Sequence, residues 1–280
     1  MVRPAMTTNT LICIPSRLGS TRLPRKPLLN IHGRPLVAHV MDRAAQCGRA
    51  ARVVVATDAP EIAAVVKANG GQAVMTDPAL PSGTDRVAAV AQQDATLADD
   101  DVVVNFQGDQ PLLPGTAIGA LLDVFADRAV EMATLVCPLP QEDLNNPNVV
   151  KVVATQHLDA LYFSRATIPF VREPARANEA RFAAHVGVYA YRKRTLLRLA
   201  GTPPCHLEQA EALEQLRALW LGIRIRCVVM QTPAPFEINT PEDHARAEAV
   251  FARAGGDGVR AYELMTADAA ARPTVAFVGG

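Results

Sequence analysis

Four positive charges lie in one short loop near the beginning of the chain. Residues 15–28 read PSRLGSTRLPRKPL, and their cations are Arg17, Arg22, Arg25 and Lys26. Gly19 and Ser20 allow a ligand to approach the backbone closely, arginine supplies forked donors, and lysine supplies a compact charge. Arg17, Arg22 and Lys26 can together reach several oxygens of a triphosphate, so the loop predicts a triphosphate site. The alternative is a solvated basic turn.

The position of this loop favours the binding site over the solvated turn. It directly follows the apolar run of residues 11–14. In parallel α/β sheets, ligands bind beyond the carboxyl ends of the strands. The segment contains neither a GxxxxGKS/T nor a GxGxxG motif. A P-loop ATPase and a Rossmann dehydrogenase are therefore not indicated.

A candidate acidic partner follows another apolar run. Residues 102–111 read VVVNFQGDQP and place Gln107 and Asp109 just after the predicted strand. Triphosphates are usually handled together with Mg²⁺, which prefers carboxylate oxygens. We therefore expect Asp109 to bind Mg²⁺ in the same crevice as the basic loop. An aspartate in an ordinary β-turn is the alternative.

The elements that must position these residues alternate between strands and helices. Predicted strands cover residues 11–14, 52–56, 73–75, 101–106, 132–136, 149–154, 184–191 and 225–229. Predicted helices cover residues 36–47, 60–69, 84–93 and 117–127. Near-continuous apolar strands alternating with helices predict an α/β fold with a mostly parallel sheet covered on both faces.

The composition excludes several classes of protein. The chain has 280 residues, and its 28 Lys and Arg balance its 28 Asp and Glu, so nucleic acid is not expected as a partner. No apolar run is long enough to span a bilayer, and residues 1–9 lack the apolar core of a secretory signal. Five widely spaced cysteines are typical of reduced core residues. We expect a cytoplasmic protein without membrane insertion.

We expect one domain over residues 10–254, with less regular residues 143–190 as an inserted lobe or dimerisation extension. Thr240, Pro241 and Asp243 predict a helix start, with Thr240 as N-cap. The tails, residues 1–9 and 255–280, are predicted to be poorly ordered, because the second is rich in Ala and Gly with weak periodicity.

Ten segments in order resemble the CMP-Kdo synthetases, the 3-deoxy-manno-octulosonate cytidylyltransferases. They are IPSRLGSTRLPRKPL, VVVATD, PSGTDR, VVVNFQGDQP, MATLVCPL, NPNVVKVV, ALYFSRATIPF, HVGVYAYR, EALEQLRAL and NTPEDHARA. The resemblance covers about residues 10–254. It implies a nucleotidyltransferase-type, Rossmann-like three-layer sandwich that forms a homodimer. It also implies an enzyme that joins CTP and Kdo into CMP-Kdo and pyrophosphate for lipopolysaccharide biosynthesis.

The resemblance also implies roles for individual residues. On this basis Arg17, Ser20 and Lys26 hold the triphosphate, and Lys26 neutralises charge as pyrophosphate leaves. Asp109 and the residue at 239 bind Mg²⁺. The cytidine side is lined by Ser82, Gly83, Arg86 and Gln107. The acidic sugar is faced by Arg165, His185, Glu211, Glu214 and Gln215.

Residue types add support to some of these roles and leave others open. An arginine such as Arg165 suits a sugar carboxylate. Residues 211 and 215 are one helical turn apart, so Glu211 and Gln215 are expected to share a helix face. A solvated helix face remains the alternative for them. A core histidine satisfied by a backbone partner remains the alternative for His185.

Two positions depart from the family pattern. Asn239 stands where family members commonly have Asp before TPED, which removes one formal negative charge from the metal site. Glu237, two residues earlier, is a candidate to compensate. Leu80 stands where the family often has His, and we expect a modest effect on nucleotide contacts. Two alternatives stay open: a cytidylyltransferase for another 2-keto acid sugar, such as an amino-Kdo or a sialate, and a non-catalytic nucleotide-binding paralogue.

Overall fold

A computed structural model of the chain describes residues 9–19, 22–49, 52–173, 175, 179–270 and 274. Ser20, predicted to bind the triphosphate, lies outside the described residues. The strands are β1 (Thr10–Ser16), β2 (Asn30–Ile31), β3 (Arg34–Pro35), β4 (Arg52–Thr57), β5 (Gln72–Met75), β6 (Val102–Asn105), β7 (Met132–Cys137), β8 (Lys151–Ala154), β9 (Ala160–Ser164), β10 (Ala183–Arg192) and β11 (Ile225–Val229). The α-helices are α1 (Leu36–Ala45), α2 (Pro60–Ala68), α3 (Gly83–Gln93), α4 (Gly115–Asp123), α5 (Lys193–Ala200), α6 (His206–Glu211), α7 (Gln215–Trp220), α8 (Pro241–Arg253) and α9 (Gly258–Ala270).

The central sheet is mostly parallel, as the alternation of strands and helices predicts. Its strand order is β11-β7-β10-β6-β1-β4-β5. Strand β10 runs antiparallel to both of its neighbours, β6 and β7, whereas β6, β1, β4 and β5 are mutually parallel. The hairpin of β8 and β9, within the predicted extension of residues 143–190, is attached to the start of β10. The sheet therefore presents the carboxyl ends of β6, β1 and β4 at one edge.

Helices cover both faces of this sheet, and β1 shows why. Its residues Ile12 and Ile14 pack into the core formed with α1, α2, α4, α8 and α9, whereas Leu11 and Cys13 pack into the core formed with α3, α5 and α7. Alternate side chains of a strand point to opposite faces, so an uninterrupted apolar run requires cover on both. The three-layer α/β architecture is confirmed.

The expectation of a poorly ordered tail is wrong for residues 258–270. They form α9, and Ala261 and Met265, one turn apart, are buried in the main core. The Tyr262 hydroxyl lies 2.6 Å from Thr232 Oγ1. The fully buried apolar stripe of this helix is small, which explains its weak periodicity in the sequence. Residues 271–273 and 275–280 lie outside the described residues.

The predicted start of α8 is confirmed. Thr240 Oγ1 accepts from the Asp243 amide at 3.2 Å, and the Asp243 carboxylate accepts from the Thr240 amide at 2.8 Å. This reciprocal capping box satisfies two amide donors that a helix start otherwise leaves unpaired.

In the part of the chain that the structure describes, we find no helix with the length and apolar character needed to cross a bilayer.

Candidate active site

The loops after β1 and β6 leave the sheet side by side. Cys13 of β1 is in register with Asn105 at the end of β6, and the Phe106 amide donates to the Cys13 carbonyl at 3.0 Å. Gly108 allows the closest approach, because a Cβ there would lie 3.0 Å from the Pro15 carbonyl oxygen and 3.2 Å from Ser16 Oγ. The basic loop and the Asp109 turn therefore border one crevice, as predicted.

Lys26 and Asp109 form an ion pair in this crevice. Lys26 Nζ lies 2.9 Å from Asp109 Oδ2 and 3.2 Å from Asn239 Oδ1. The side chains of Lys26 and Asp109 are 17% and 19% exposed, so the pair is partly shielded but reachable by a ligand. Asp109 Oδ1 is buried and has no hydrogen-bond partner. One oxygen of the Asp109 carboxylate is therefore left without a partner in the ion pair.

The three arginines of the basic loop point to different partners. Arg22 Nη2 donates to Asn239 Oδ1 at 3.3 Å, next to the Lys26 ammonium. Arg17 is exposed and reaches the Pro81 carbonyl at 3.5 Å, so it spans the mouth between the loop and the start of α3. Arg25 instead forms an ion pair with Glu61 on α2. Arg17, Arg22 and Lys26, the predicted triphosphate residues, therefore remain at the crevice, and Arg25 is held aside.

Asn239 and Glu237 enter the crevice from the segment before α8. Asn239 Nδ2 donates to Glu237 Oε2 at 3.1 Å, and Gln110 Nε2 donates to Glu237 Oε1 at 3.0 Å. Desolvation raises the pKa of Glu237, and the negative charge of Asp109 raises it further. Glu237 remains accessible to solvent, but the protein atoms around it reduce the hydration of its charge. Asp109 and Glu237 therefore bring two negative charges close to each other at this end of the crevice.

The donor set fits a hard divalent cation such as Mg²⁺. It consists of oxygen atoms, including the unpartnered Asp109 Oδ1 and the Asn239 amide oxygen. Among the described residues, no group of three or more His, Cys, Asp or Glu is arranged to hold a metal. Magnesium is commonly bound by one or two carboxylates together with substrate phosphates. A cation here would therefore depend on ligands from the triphosphate.

The residues predicted for the cytidine side have structural partners. Ser82 caps α3, because its Oγ accepts from the Asp85 amide at 3.1 Å. Arg86 is 2% exposed, pairs with Asp58 at 3.0 Å and also bonds Thr76 Oγ1. It thereby ties α3 to the ends of β4 and β5. The sequence assigned no role to Asp58, although it ends the VVVATD segment directly after β4.

A chain of polar side chains connects this side to the predicted sugar side. Gln107 Nε2 donates to Asn105 Oδ1 at 3.1 Å, and Asn105 Nδ2 donates to Thr84 Oγ1 at 3.3 Å. The Thr84 hydroxyl donates to Glu214 Oε2 at 2.7 Å. Gly83 completes the predicted set at the first turn of α3, where a Cβ would lie 3.3 Å from Pro15 Cγ and 3.8 Å from Gln107 Oε1. Gln107 and Glu214, predicted on opposite sides, are thus ends of one network through the buried residues Asn105 and Thr84, which sequence reasoning missed.

Glu211 and Gln215 do not share a helix face, so that expectation is wrong. The helix breaks at Ala212, whose φ of +51° is left-handed, and α7 restarts at Gln215. Glu211 Oε1 accepts from Ser164 Oγ at 2.6 Å, and its Oε2 accepts from the Arg165 amide at 2.9 Å. Gln215 is 3% exposed, and its Nε2 has no partner. Glu211 therefore joins β9 to α6, whereas Gln215 has a free donor.

Arg165 is held by backbone carbonyls. Its guanidinium donates to the carbonyls of Glu211 at 2.7 Å, Pro147 at 2.9 Å and Ala212 at 3.2 Å. These bonds use three of its five N–H donors. Arg165 therefore connects the loop before β8 to the break between α6 and α7. Its predicted contact with a sugar carboxylate would have to use the remaining two donors.

His185 lies in β10 with a polar partner and two aromatic neighbours. Its Nε2 is 3.0 Å from Thr134 Oγ1, whose hydroxyl also lies 2.8 Å from the Val188 carbonyl. A hydroxyl that donates to that carbonyl accepts from Nε2–H, which leaves Nδ1 as an acceptor. Desolvation lowers the pKa of His185 to about 3. The imidazole is therefore neutral at pH 7 and suits a sugar hydroxyl better than a carboxylate.

Comparison with known proteins identifies the fold and the chemistry. The family model described as Cytidylyltransferase matches residues 11–225. A 3-deoxy-manno-octulosonate cytidylyltransferase of Polynucleobacter necessarius subsp. necessarius (strain STIR1) is 46% identical over 245 residues, which are 87% of this chain and 96% of that protein. Another, from Pectobacterium carotovorum subsp. carotovorum (strain PC1), is 45% identical over 246 residues, covering 86% of this chain and 98% of that protein.

Solved structures agree with these relatives. A CMP:2-keto-3-deoxy-manno-octonic acid synthetase complexed with CTP superposes with a TM-score of 0.83 and 40% identity, covering 88% of this chain and all (100%) of that one. A cytidylyltransferase from Leptospira borgpetersenii serovar Hardjo-bovis (strain JB197) has a TM-score of 0.61 at 15% identity, covering 93% of this chain and 95% of that one. The second likeness concerns the fold alone, and both are consistent with a nucleotidyltransferase-type sandwich.

Proposed function

This chain belongs to the cytidylyltransferase family, and we propose that it transfers CMP from CTP to the anomeric hydroxyl of 3-deoxy-manno-octulosonate (Kdo). The products are CMP-Kdo and pyrophosphate. The observation that carries the proposal is 46% identity to a 3-deoxy-manno-octulosonate cytidylyltransferase over 96% of that protein's length. The crevice between the basic loop and Asp109 supports it independently.

The reaction is an in-line displacement at phosphorus. The oxygen of the anomeric 2-hydroxyl forms a bond to the α-phosphorus of CTP, the bond from that phosphorus to the bridging oxygen breaks, and pyrophosphate leaves with the electron pair. The proton of the hydroxyl passes to solvent water in this step. No covalent intermediate with the enzyme is needed, so positioning and charge stabilisation supply the catalysis.

The basic loop would hold the triphosphate. Arg17 and Arg22 are exposed at the mouth, and the Lys26 ammonium lies deeper against Asp109. Cations in this order can follow a chain of phosphates into the crevice. Lys26 would then neutralise charge that develops on the departing pyrophosphate.

Asp109 and Asn239 would hold Mg²⁺ through their oxygen atoms. When bound, the ion withdraws charge from phosphate oxygens. The unpartnered Asp109 Oδ1 supports this assignment. The neutral Asn239 predicts weaker metal binding than an aspartate would give.

The sugar would lie toward Glu214, Gln215 and His185. Neutral His185 offers an acceptor at Nδ1, Gln215 offers the unpartnered Nε2, and Glu214 is linked through Thr84 to the nucleotide side. Hydroxyl groups of a sugar match such donors and acceptors. Arg165 has two donors left for a carboxylate, so its sugar contact stays a prediction.

The decisive experiment measures pyrophosphate release from CTP and Kdo with Mg²⁺, for the wild type and for Asp109→Ala. We expect release by the wild type and its loss in the variant. Faster turnover with an amino-Kdo or a sialate would reassign the sugar. Nucleotide binding without release would favour the non-catalytic paralogue, and rescue by Asn239→Asp would locate the defect in the metal site.

We propose that the reaction takes place in the cytoplasm, as a step of lipopolysaccharide biosynthesis. CTP as donor is consistent with the cytoplasm, and CMP-Kdo as product is consistent with lipopolysaccharide biosynthesis.

A homodimer is supported by large apolar side chains left exposed: Leu161 on β9 is 60% exposed, Phe170 84% and Trp220 on α7 57%. Light scattering of the full chain tests it, and a monomer at micromolar concentration would contradict it.

A further inference from the structure

The side-chain amide of Asn239 can bind a metal cation only if another residue orients it. A carboxylate presents oxygen on both sides, but an amide presents an oxygen on one side and an NH₂ donor on the other. A metal cation in the crevice can be coordinated by the amide oxygen but not by the NH₂ group. Whatever sets the direction of this amide therefore decides whether Asn239 can act as a ligand.

The backbone of Asn239 is fixed by α8. The amides of Asn239 and Thr240 both donate to Asp243 Oδ2, at 3.0 and 2.8 Å. The neighbouring Ile238 amide donates to the Asp109 carbonyl at 2.9 Å. Only the side-chain rotation of Asn239 is left to be decided.

That rotation is decided by charges on its two sides. Lys26 Nζ and Arg22 Nη2 approach from the crevice at 3.2 and 3.3 Å, and both are donors only. Glu237 Oε2 approaches from the other side at 3.1 Å and is an acceptor. Oxygen toward the cations and nitrogen toward Glu237 is the arrangement that satisfies both sides.

Glu237 is itself held in place. Gln110 is 2% exposed, and its Nε2 donates to Glu237 Oε1 at 3.0 Å. Each carboxylate oxygen of Glu237 thus has a side-chain amide as partner. A residue so anchored can orient a neighbour, as the outer partners of metal ligands commonly do.

We propose that Glu237 is a positioning residue that turns the Asn239 amide oxygen toward the cation site. The inference rests on the proposed function, because it concerns the metal that serves that reaction. It differs from the simpler idea that Glu237 adds negative charge near the metal. The two ideas make different predictions for substitutions at 237 and 239.

The test compares Glu237→Gln with Glu237→Met. Glutamine removes the charge but keeps an oxygen that can accept from Asn239 Nδ2, while Gln110 turns its amide to pair with the new NH₂. Methionine is similar in length and removes the acceptor. If Glu237 orients the Asn239 amide, Glu237→Met should weaken metal binding by at least about tenfold, and Glu237→Gln should weaken it much less. Equal losses of metal affinity in the two variants would overturn the proposal and would indicate that Glu237 acts through its negative charge.

The second arm repeats both substitutions in an Asn239→Asp background. Aspartate offers oxygen on both sides and needs no orientation, so Glu237→Met should cost little there, within about threefold. Tighter binding is also consistent, because it would relieve repulsion between carboxylates at 237 and 239. A full tenfold loss in this background would overturn the proposal. Glu242→Gln, an exposed residue on α8, is the control for loss of one carboxylate.

The readout is bound Mn²⁺, measured from the loss of the free-ion EPR signal with CTP at one fixed concentration and without Kdo. No turnover occurs under these conditions, and a CTP blank gives the background. Wild-type protein that retains no Mn²⁺ above the blank would overturn this inference together with the metal part of the proposed function. Retention by the wild type without the predicted difference between variants would overturn this inference alone, and pyrophosphate release would still test the function.

Discussion

The Lys26 ammonium lies 2.9 Å from the Asp109 carboxylate and joins the loop after β1 to the loop after β6. The pair links the predicted triphosphate ligand to the predicted metal ligand. A bound triphosphate would compete with Asp109 for this cation, and a bound metal would compete with Lys26 for this carboxylate. Binding of the triphosphate and the metal would therefore replace the Lys26–Asp109 ion pair by two new contacts, Lys26 with phosphate and Asp109 with the metal.

Lys26→Met should lower the rate of pyrophosphate release by about 10²–10³-fold, because a positioned charge that stabilises the transition state is lost. The same change should increase the weak Mn²⁺ binding expected of the nucleotide-free protein, since no ammonium then competes for Asp109. Kinetics and EPR measure the two effects. The control is Lys67→Met on the exposed side of α2. Unchanged turnover in Lys26→Met would show that the ion pair has no part in catalysis.

Gly108→Ala should destabilise the protein by about 1–3 kcal/mol and reduce turnover, because the new methyl group crowds the Pro15 carbonyl and Ser16 Oγ. Gly19→Ala is the matched comparison, since a Cβ there meets nothing within 4 Å. It should leave the free energy of unfolding unchanged to about 0.5 kcal/mol. A rise in the KM for CTP in Gly19→Ala alone would indicate close approach of the phosphates. Equal stability of the two variants in urea would contradict the packing argument.

Arg165→Lys should lower the stability by about 1–3 kcal/mol, because one ammonium cannot replace the bonds to three separate carbonyls. Thermal unfolding measures this loss, and the exposed Arg194→Lys provides a comparison in which the ion pair with Asp100 can be retained. A higher KM for Kdo with unchanged stability would instead support direct contact with the sugar carboxylate.

His185 should make the stability depend on pH. Its folded pKa of about 3 lies below the ordinary value of 6.5, so between these values the unfolded chain binds a proton that the folded chain refuses. Stability is therefore lost as the pH falls from 6.5 toward 3. His185→Gln should remove this contribution, so the stability difference between wild type and variant should shrink or reverse between pH 7 and pH 5.

Urea unfolding at the two pH values measures that difference, with the exposed His157→Gln as control. A stability difference between wild type and His185→Gln that stays constant from pH 7 to pH 5 would contradict burial of a neutral imidazole. The turnover of the wild type should also show no step from His185 in this range, since the residue is uncharged throughout.

Local patterns predicted the parts of this protein that depend on neighbours in sequence. Apolar runs such as residues 11–14 must be covered on both faces, so the parallel sheet and the crevice at its carboxyl edge followed from the order of strands and helices. The start of α8, with Thr240 as N-cap, depends on residues only three apart and was predicted correctly. The weak stripe of α9 was missed because two buried residues carry it.

The pairing of distant side chains was decided by the tertiary structure. The family resemblance placed Arg165 and Glu211 on a sugar, whereas the folded chain brings the two residues together and gives each of them partners within the protein. The break at Ala212 separates Glu211 from Gln215 although helical spacing joins them in the sequence. The sequence by itself determined which chemical groups stand at the carboxyl ends of the strands. Contacts between segments more than a hundred residues apart, such as Lys26 with Asn239 and Gln110 with Glu237, exist only once the sheet has closed, because hydrogen bonds depend on distances that no local pattern contains.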